Sequence, residues 1–352
     1  MPVSTAVCLD CHKNESEIEI RKRRLCNECF RKYLSSKILK RMETYRFKNQ
    51  VGNAKKRLLL PISGGVSSLV LLQVLDAQIK KQLSQQNRTA YDLVLVHLVL
   101  DEHTGGETKK WWEDLQGCYE THTFVSPMNM SEVFQNDKQI ETDLQLLGLT
   151  RQESEPDKQF LGRLFTSTRS ATSRSDLAEL LLKRLIVATA KAQACDSILW
   201  GHSDSKLAAK ALSEVAKGRG GSVPNELADG PSPWGLHFNY PLRDLFKTEL
   251  QLYLSTSSDS IKACLFGNEQ DDEPPVSLRS TSIDTLLSTY ITSQGEKYPS
   301  IMANVVRTAS KLQVPSADQG RKCGLCALPI IMGDNTQRLC YGCKRMKQDI
   351  KG

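Results

Sequence analysis

The 352-residue sequence has no apolar run that approaches the roughly 18 to 20 residues a membrane-spanning helix requires. Its first residues, MPVSTAVCLDCHKN, carry two cysteines and charges where a secretory signal would be apolar, so an intracellular chain with reduced thiols is expected, with no membrane partner. Acidic residues are scarce between Arg21 and Arg57. Only Glu28 and Glu43 oppose fourteen Lys and Arg there, a net of +12 in a chain whose total is +7. That imbalance, with Phe30, Tyr33, Tyr45 and Phe47 interleaved, points to phosphate attraction and stacking, hence to a nucleic-acid partner rather than a merely solvated face. Aromatic interleaving favours RNA over duplex DNA. A carboxylate is also missing from LLLPISGGVSSLVLL (58–72), a stretch otherwise shaped like a phosphate-binding loop: apolar strand, Ser63-Gly64-Gly65, then helical spacing at Leu69, Leu72 and Leu75.

Cysteine, by contrast, is plentiful. Of eleven, eight form Cys-x-x-Cys pairs: Cys8/Cys11 with Cys26/Cys29, and Cys323/Cys326 with Cys340/Cys343. Each pair presents two thiolates to one side, and two pairs complete the four-sulfur shell of a structural zinc, so two Zn2+ sites are expected. His12 follows Cys11 and is a substitute ligand, although four thiolates suffice. Cys118, Cys195 and Cys264 stand alone and read as small apolar side chains.

At 39% hydrophobic, the chain can bury a full core and has the length of about two domains. Between the cysteine modules, strand-like and helix-like segments alternate: DLVLVHLVLD (92–101), SDLAELLLKRLIVATAKAQA (175–194, with Ser175 or Asp176 as N-cap), CDSILWGH (195–202) and SDSKLAAKALSEVAKG (203–218, stopped by Gly218). This order predicts an α/β fold, a doubly wound parallel sheet with its ligand crevice at the carboxyl ends of the strands. The expected division is 1–49, a zinc ribbon with a basic linker helix; 50–315, the α/β domain; and 316–352, a second zinc ribbon. Segments 218–233 and 267–277 read as mobile loops.

SGGVSS (63–68) and GHSDSKLAAK (201–210) resemble the two signature segments of the PP-loop ATP pyrophosphatases, adenine nucleotide alpha hydrolase-like proteins, and in particular their tRNA-thiolating branch. YPLRDLFKTELQLYL (240–254), YPSIMANVVRTASKL (298–312) and the terminal ribbons are similar to that branch as well, so most of the chain outside loops around 102–165 is covered. The departures are specific. Ser63, Gly64, Gly65, Ser67 and Ser68 keep a vestigial nucleotide loop, but Ser67 replaces the family aspartate. In the second segment, family acids fall on Ser205, Lys206 and Ala209, and the threonine on Lys210. Magnesium takes oxygen ligands, usually carboxylates together with substrate phosphates, so these changes argue against bound Mg2+ and ATP. The branch's cysteines ahead of the helix expected near Asp176 are missing too, since FTSTRSATSRSD (165–176) stands there. Only Cys264 falls near another active cysteine of the branch.

The resemblance therefore implies a pseudoenzyme with no catalytic residues of its own. It would be a cytoplasmic tRNA-binding subunit that forms a heterodimer with a catalytic paralogue thiolating wobble uridine 34, with sulfur reaching the complex from a ubiquitin-like carrier. Arg23, Arg24, Lys32, Lys37 and Arg41 are the expected tRNA contacts. Two alternatives stand beside it: an active ATP-dependent thiolase using Cys264 and non-standard ligands, and a plain zinc-ribbon RNA-binding protein.

Overall fold

The computed structural model describes residues 7–46, 55–99, 105–266, 281–312, 321–330 and 337–351. The expected loop 267–277 lies outside them. At the centre is a six-stranded sheet in the spatial order Thr123–Phe124, Tyr91–Val96, Lys56–Pro61, Ser197–Leu199, His237–Asn239, Gly230–Pro231. The first five strands run parallel, and Gly230–Pro231 is an antiparallel edge. Strand order reverses between Lys56–Pro61 and Ser197–Leu199, which opens a crevice at their carboxyl ends, where doubly wound sheets place their ligands.

Both faces of the sheet are covered, which is why its strands read as continuous apolar runs. Leu58 and Leu60 join one buried cluster, while Leu59 between them joins the other. The helices Val66–Gln86, Gly105–Cys118 and Lys247–Ser255 pack on the first face. The helices Ala171–Ala192 and Asp204–Ala216 pack on the second, beneath Ile283–Lys297 and Pro299–Ala309. The cysteine modules divide the same way. Cys8 and Cys26 belong to the first cluster; Cys323, Cys340 and Cys343 belong to the second.

Three expectations change. The helix expected from about Asp176 begins at Ala171, because Ser170 rather than Ser175 or Asp176 accepts the capping bond from Ser173 N. The expected loops of 102–165 are largely helical where described, with Gly105–Cys118 and Asp157–Ser167 as the longest pieces. The expected mobile loop 218–233 contains a short helix, Val223–Leu227, pinned by buried Val223, Leu227 and Glu226.

Candidate functional site

The loop has the geometry its sequence suggested. Gly64 sits at φ +84, a left-handed conformation that costs glycine little, and Gly65 is the N-cap of Val66–Gln86. Ser63 and Ser68 tie the turn together: Gly65 N donates to Ser63 Oγ at 3.3 Å, Ser68 Oγ donates to Gly65 O at 3.0 Å, and the two hydroxyls lie 3.2 Å apart. Ser67 is half-buried on the first turn of the helix. The loop is also covered from outside. Phe266 N donates to Gly64 O at 3.1 Å, and a Cβ on Gly64 would fall 2.8 Å from Phe266 Cβ and 3.3 Å from the Trp111 ring.

Beside the loop lies a cavity of about 550 Å³, within the size range of small-molecule sites. Ser63 and Ser68 stand at one end, and Trp200, His202 and Tyr240 form a wall of rings with centroids 5.6 and 5.8 Å apart. Four of the cavity's lining charges, Glu179, Lys183, Lys210 and Glu226, pair with one another and sum to zero. Lys210 bonds Glu179 and lies 3.0 Å from Glu226, while Lys183 lies 2.5 Å from Glu226 and 3.6 Å from Glu179. Burial alone would raise Glu179, but Lys210 and Lys183 outweigh it and hold the carboxyl well below its ordinary range. Burial, with Lys210 and Lys206 adding, pushes His202 down to about 3, so its ring is neutral. Trp200 Nε1 and His202 Nδ1 are buried atoms without a hydrogen-bond partner among the described residues.

Sequence reasoning located the second motif here but missed Glu179, Lys183 and Glu226, which lie outside it. Lys206 and Ala209 line the cavity, and Lys210 is the pivot of the ion-pair quartet. The carboxylates present are therefore already neutralised by lysine, and a magnesium ion would have to displace those lysines. Asp204 is buried beneath the motif, with Oδ1 accepting from Ser205 Oγ at 3.1 Å and Oδ2 unpartnered.

The lone thiols are less separate than their spacing suggested. Cys118 is exposed and lies near the buried Cys264 thiol. Burial and that neighbour push Cys264 up to about 11, a poor setting for a nucleophile at neutral pH. Its carbonyl accepts from Trp111 Nε1 at 2.8 Å.

Each cysteine quartet converges, with all four Sγ atoms within 4.8 Å of one another. The distances Cys11–Cys26, 3.9 Å, and Cys326–Cys340, 3.6 Å, match the ~3.8 Å edge of a tetrahedron built on metal–sulfur bonds of about 2.3 Å. A four-iron cluster places each thiolate on a different iron and spreads the sulfurs further. Either quartet could hold one metal ion. His12 is exposed and stands outside the thiol group.

The basic segment is only partly free. Arg21 makes a bidentate pair with Glu249 at 2.8 and 2.9 Å, its guanidinium 4.1 Å from the Phe246 ring centroid. Arg31 stacks 4.5 Å over Tyr253. Among the expected contacts, Arg41 pairs with Asp244 at 2.6 Å and Lys37 donates to Asp244 O at 3.3 Å, which docks the helix Asn27–Arg41 onto the central domain. Arg23 pairs with Asp10, and Arg24 lies 3.8 Å from Glu19. Arg23, Arg24 and Lys32 are exposed.

Residues 282–338 match the family model described as cytoplasmic tRNA 2-thiolation protein 2. A relative of that name from Coccidioides immitis (strain RS) is 37% identical over 98% of this chain and 98% of its own. One from Ajellomyces capsulatus (strain NAm1 / WU24) is 39% identical over 90% and 95%. Among solved structures, the U34-tRNA thiolase NcsA from Methanococcus maripaludis with its [4Fe-4S] cluster superposes with a TM-score of 0.59 at 15% identity, covering 97% of both chains. It shows the same fold.

Proposed function

The chain belongs to the cytoplasmic tRNA 2-thiolation protein 2 family, and from that premise we propose that it is a non-catalytic subunit: it binds tRNA and supports a catalytic paralogue that thiolates wobble uridine 34, the sulfur arriving through a ubiquitin-like carrier. The observation that carries this is the crevice beside the phosphate loop. Adenylation needs a metal to neutralise developing charge, and the metal needs carboxylates. Here Ser67, Ser205, Lys206 and Ala209 stand at the family's acidic positions, and Glu179 and Glu226 are each bonded to lysine. Sulfur transfer needs an accessible thiolate, whereas Cys264 is buried and protonated at neutral pH. The two cysteine quartets are zinc sites on this reading, their tetrahedral sulfur spacing and four-thiolate composition suiting that ion.

The test is made in cells that depend on this chain. Deleting it should abolish 2-thiouridine in tRNA, measured by nucleoside mass spectrometry, while Ser67→Ala with Lys206→Ala should leave the level within about twofold of wild type, since neither residue serves the chemistry. Loss of thiolation in that double variant, with the protein still folded and zinc-loaded, would return the crevice to the active-enzyme reading.

A further inference from the structure

The C-terminal cysteine module carries a surface that neither the crevice nor the N-terminal basic segment uses. Its helix, Tyr341–Gln348, begins directly after Cys340. Tyr341 is 66% exposed, high for a large aromatic on a helix that otherwise buries Cys343 and Met346. The ring is nevertheless held. It lies against Gly218, where an added Cβ would come within 2.3 and 2.5 Å of ring carbons Cδ1 and Cε1.

Gly218 belongs to a rigid turn. On one side Lys217 is fully buried, bonded to Asp176 at 2.9 Å and Asp284 at 2.8 Å; on the other, Arg219 pairs with Glu214 at 2.5 Å and Asp176 at 2.7 Å. One part of the tyrosine ring is thus fixed against backbone and the rest is open to solvent. Lys344 follows three residues on, adjacent to Tyr341 on the helix surface, and Lys347 three beyond it, adjacent to Lys344 and about 120° around the helix from Tyr341; both are exposed. At the helix end Lys351 N donates to Ser167 O at 2.8 Å and Arg169 N to Asp349 O at 3.1 Å, which places exposed Arg169 and Lys351 beside the C-terminal end of the helix. The acid in this strip, Asp349, accepts from Ser170 N at 2.8 Å.

We propose that this strip is a second RNA-contact surface, in which Tyr341 is a preformed stacking platform for an unpaired base of tRNA and Lys344, Lys347 and Arg169 hold the adjoining phosphates. A ring already immobilised by Gly218 loses little conformational freedom when a base stacks on it, and flanking cations supply the sequence-independent attraction that single-stranded recognition combines with stacking. A duplex would offer no free base face. The proposal rests on the reading that the chain binds tRNA, so its test separates the two.

Fluorescently labelled full-length tRNA is titrated with the full, zinc-loaded chain from about 50 to 200 mM salt, where multi-contact binding falls most steeply. Tyr341→Leu should weaken binding by roughly 5- to 150-fold, the range seen for loss of one stacked base, and Tyr341→Phe should restore it. Lys344→Glu with Lys347→Glu should weaken binding and flatten the log–log salt slope by somewhat less than one for each phosphate no longer neutralised. Each variant must retain the wild-type metal content.

Wild-type affinity and slope in both the leucine and the glutamate variants would overturn the proposal, even if charge reversal at Arg24 and Lys32 abolished binding. A loss in the glutamate pair without any in Tyr341→Leu would overturn the stacking platform. If the glutamate pair kept its tRNA affinity but lost a co-purifying acidic protein, the strip would be a protein interface and the proposal would fall. No binding by the wild-type chain would overturn this proposal and the tRNA-binding reading together.

Discussion

Lys210 shows how one side chain changes what a site can do. Where the sequence resemblance implies a threonine after a family glutamate, an ammonium group reaches Glu179 and Glu226, and burial makes those pairs hard to open, because removing one partner leaves an unpaired buried charge. Six residues earlier, Asp204 is the opposite case, a carboxylate with one oxygen unpartnered. Burial raises it from 3.8 to about 7, with Glu249 adding to the rise and Ser205 and Arg21 opposing it. The sign follows from linkage. Between 3.8 and about 7 the folded state holds a proton that the unfolded state releases, so this group costs stability increasingly as pH rises through that window, fully above it. Asp204→Asn should therefore be neutral near pH 4 and more stable than wild type by about 1–2 kcal/mol above pH 7.5, less than the full conversion at ~1.36 kcal/mol per unit because the amide is itself buried. Denaturant melts of both proteins across pH 4–8 check this; parallel curves would show that Asp204 does not titrate as described. The N-terminal arginines are legible in the sequence only in part. Their charge was plain in the sequence, but the partners that occupy Arg21 and Arg41, Glu249 and Asp244, lie more than 200 residues away, and no local pattern announces them.

At the scale of elements, the strand–loop–helix of 56–86 and the cysteine quartets were legible because their signals are local: an apolar run, two glycines, a fixed thiol spacing. Helix boundaries were less so. Ser170, Ser173 and Ser175 are all capping residue types, and only the fold selects Ser170, whose N–H and hydroxyl both meet Asp349 of the C-terminal module. Gly218 was legible as a helix stop but not as a docking surface. At φ +78 against the Tyr341 ring, it joins the helix Asp204–Ala216 to Tyr341–Gln348. Gly218→Ala adds left-handed strain of roughly 1–2 kcal/mol and a methyl group where the ring lies. We expect a loss of about 2–4 kcal/mol in global stability, with hydrogen exchange rising first in Tyr341–Gln348 and in the Lys217–Arg219 turn. A loss under about 0.5 kcal/mol, the range of ordinary surface changes, would mean the ring is not tightly seated on the glycine.

Across the whole molecule, the sheet separates the two cysteine modules. The N-terminal module covers one face through Phe30, Leu34 and Ile38, and the C-terminal module completes the other. The crevice between Lys56–Pro61 and Ser197–Leu199 has the shape its fold requires, because strands, glycine turn and helix starts serve folding as much as chemistry; on the proposed reading, metal-binding acids would serve chemistry alone and are dispensable here. Its doubly wound fold could be read from alternating elements. Its silent charge could not, since the neutralising lysines and glutamates come from three separate helices. On the proposed reading this crevice does not activate tRNA. The most direct test is pyrophosphate release by the purified chain supplied with ATP, magnesium and tRNA. Wild type and Ser67→Asp should both stay at the no-enzyme background, because one restored carboxylate does not rebuild a site whose members act together. Release that depends on tRNA and disappears in Lys210→Ala or Cys264→Ser would contradict the account.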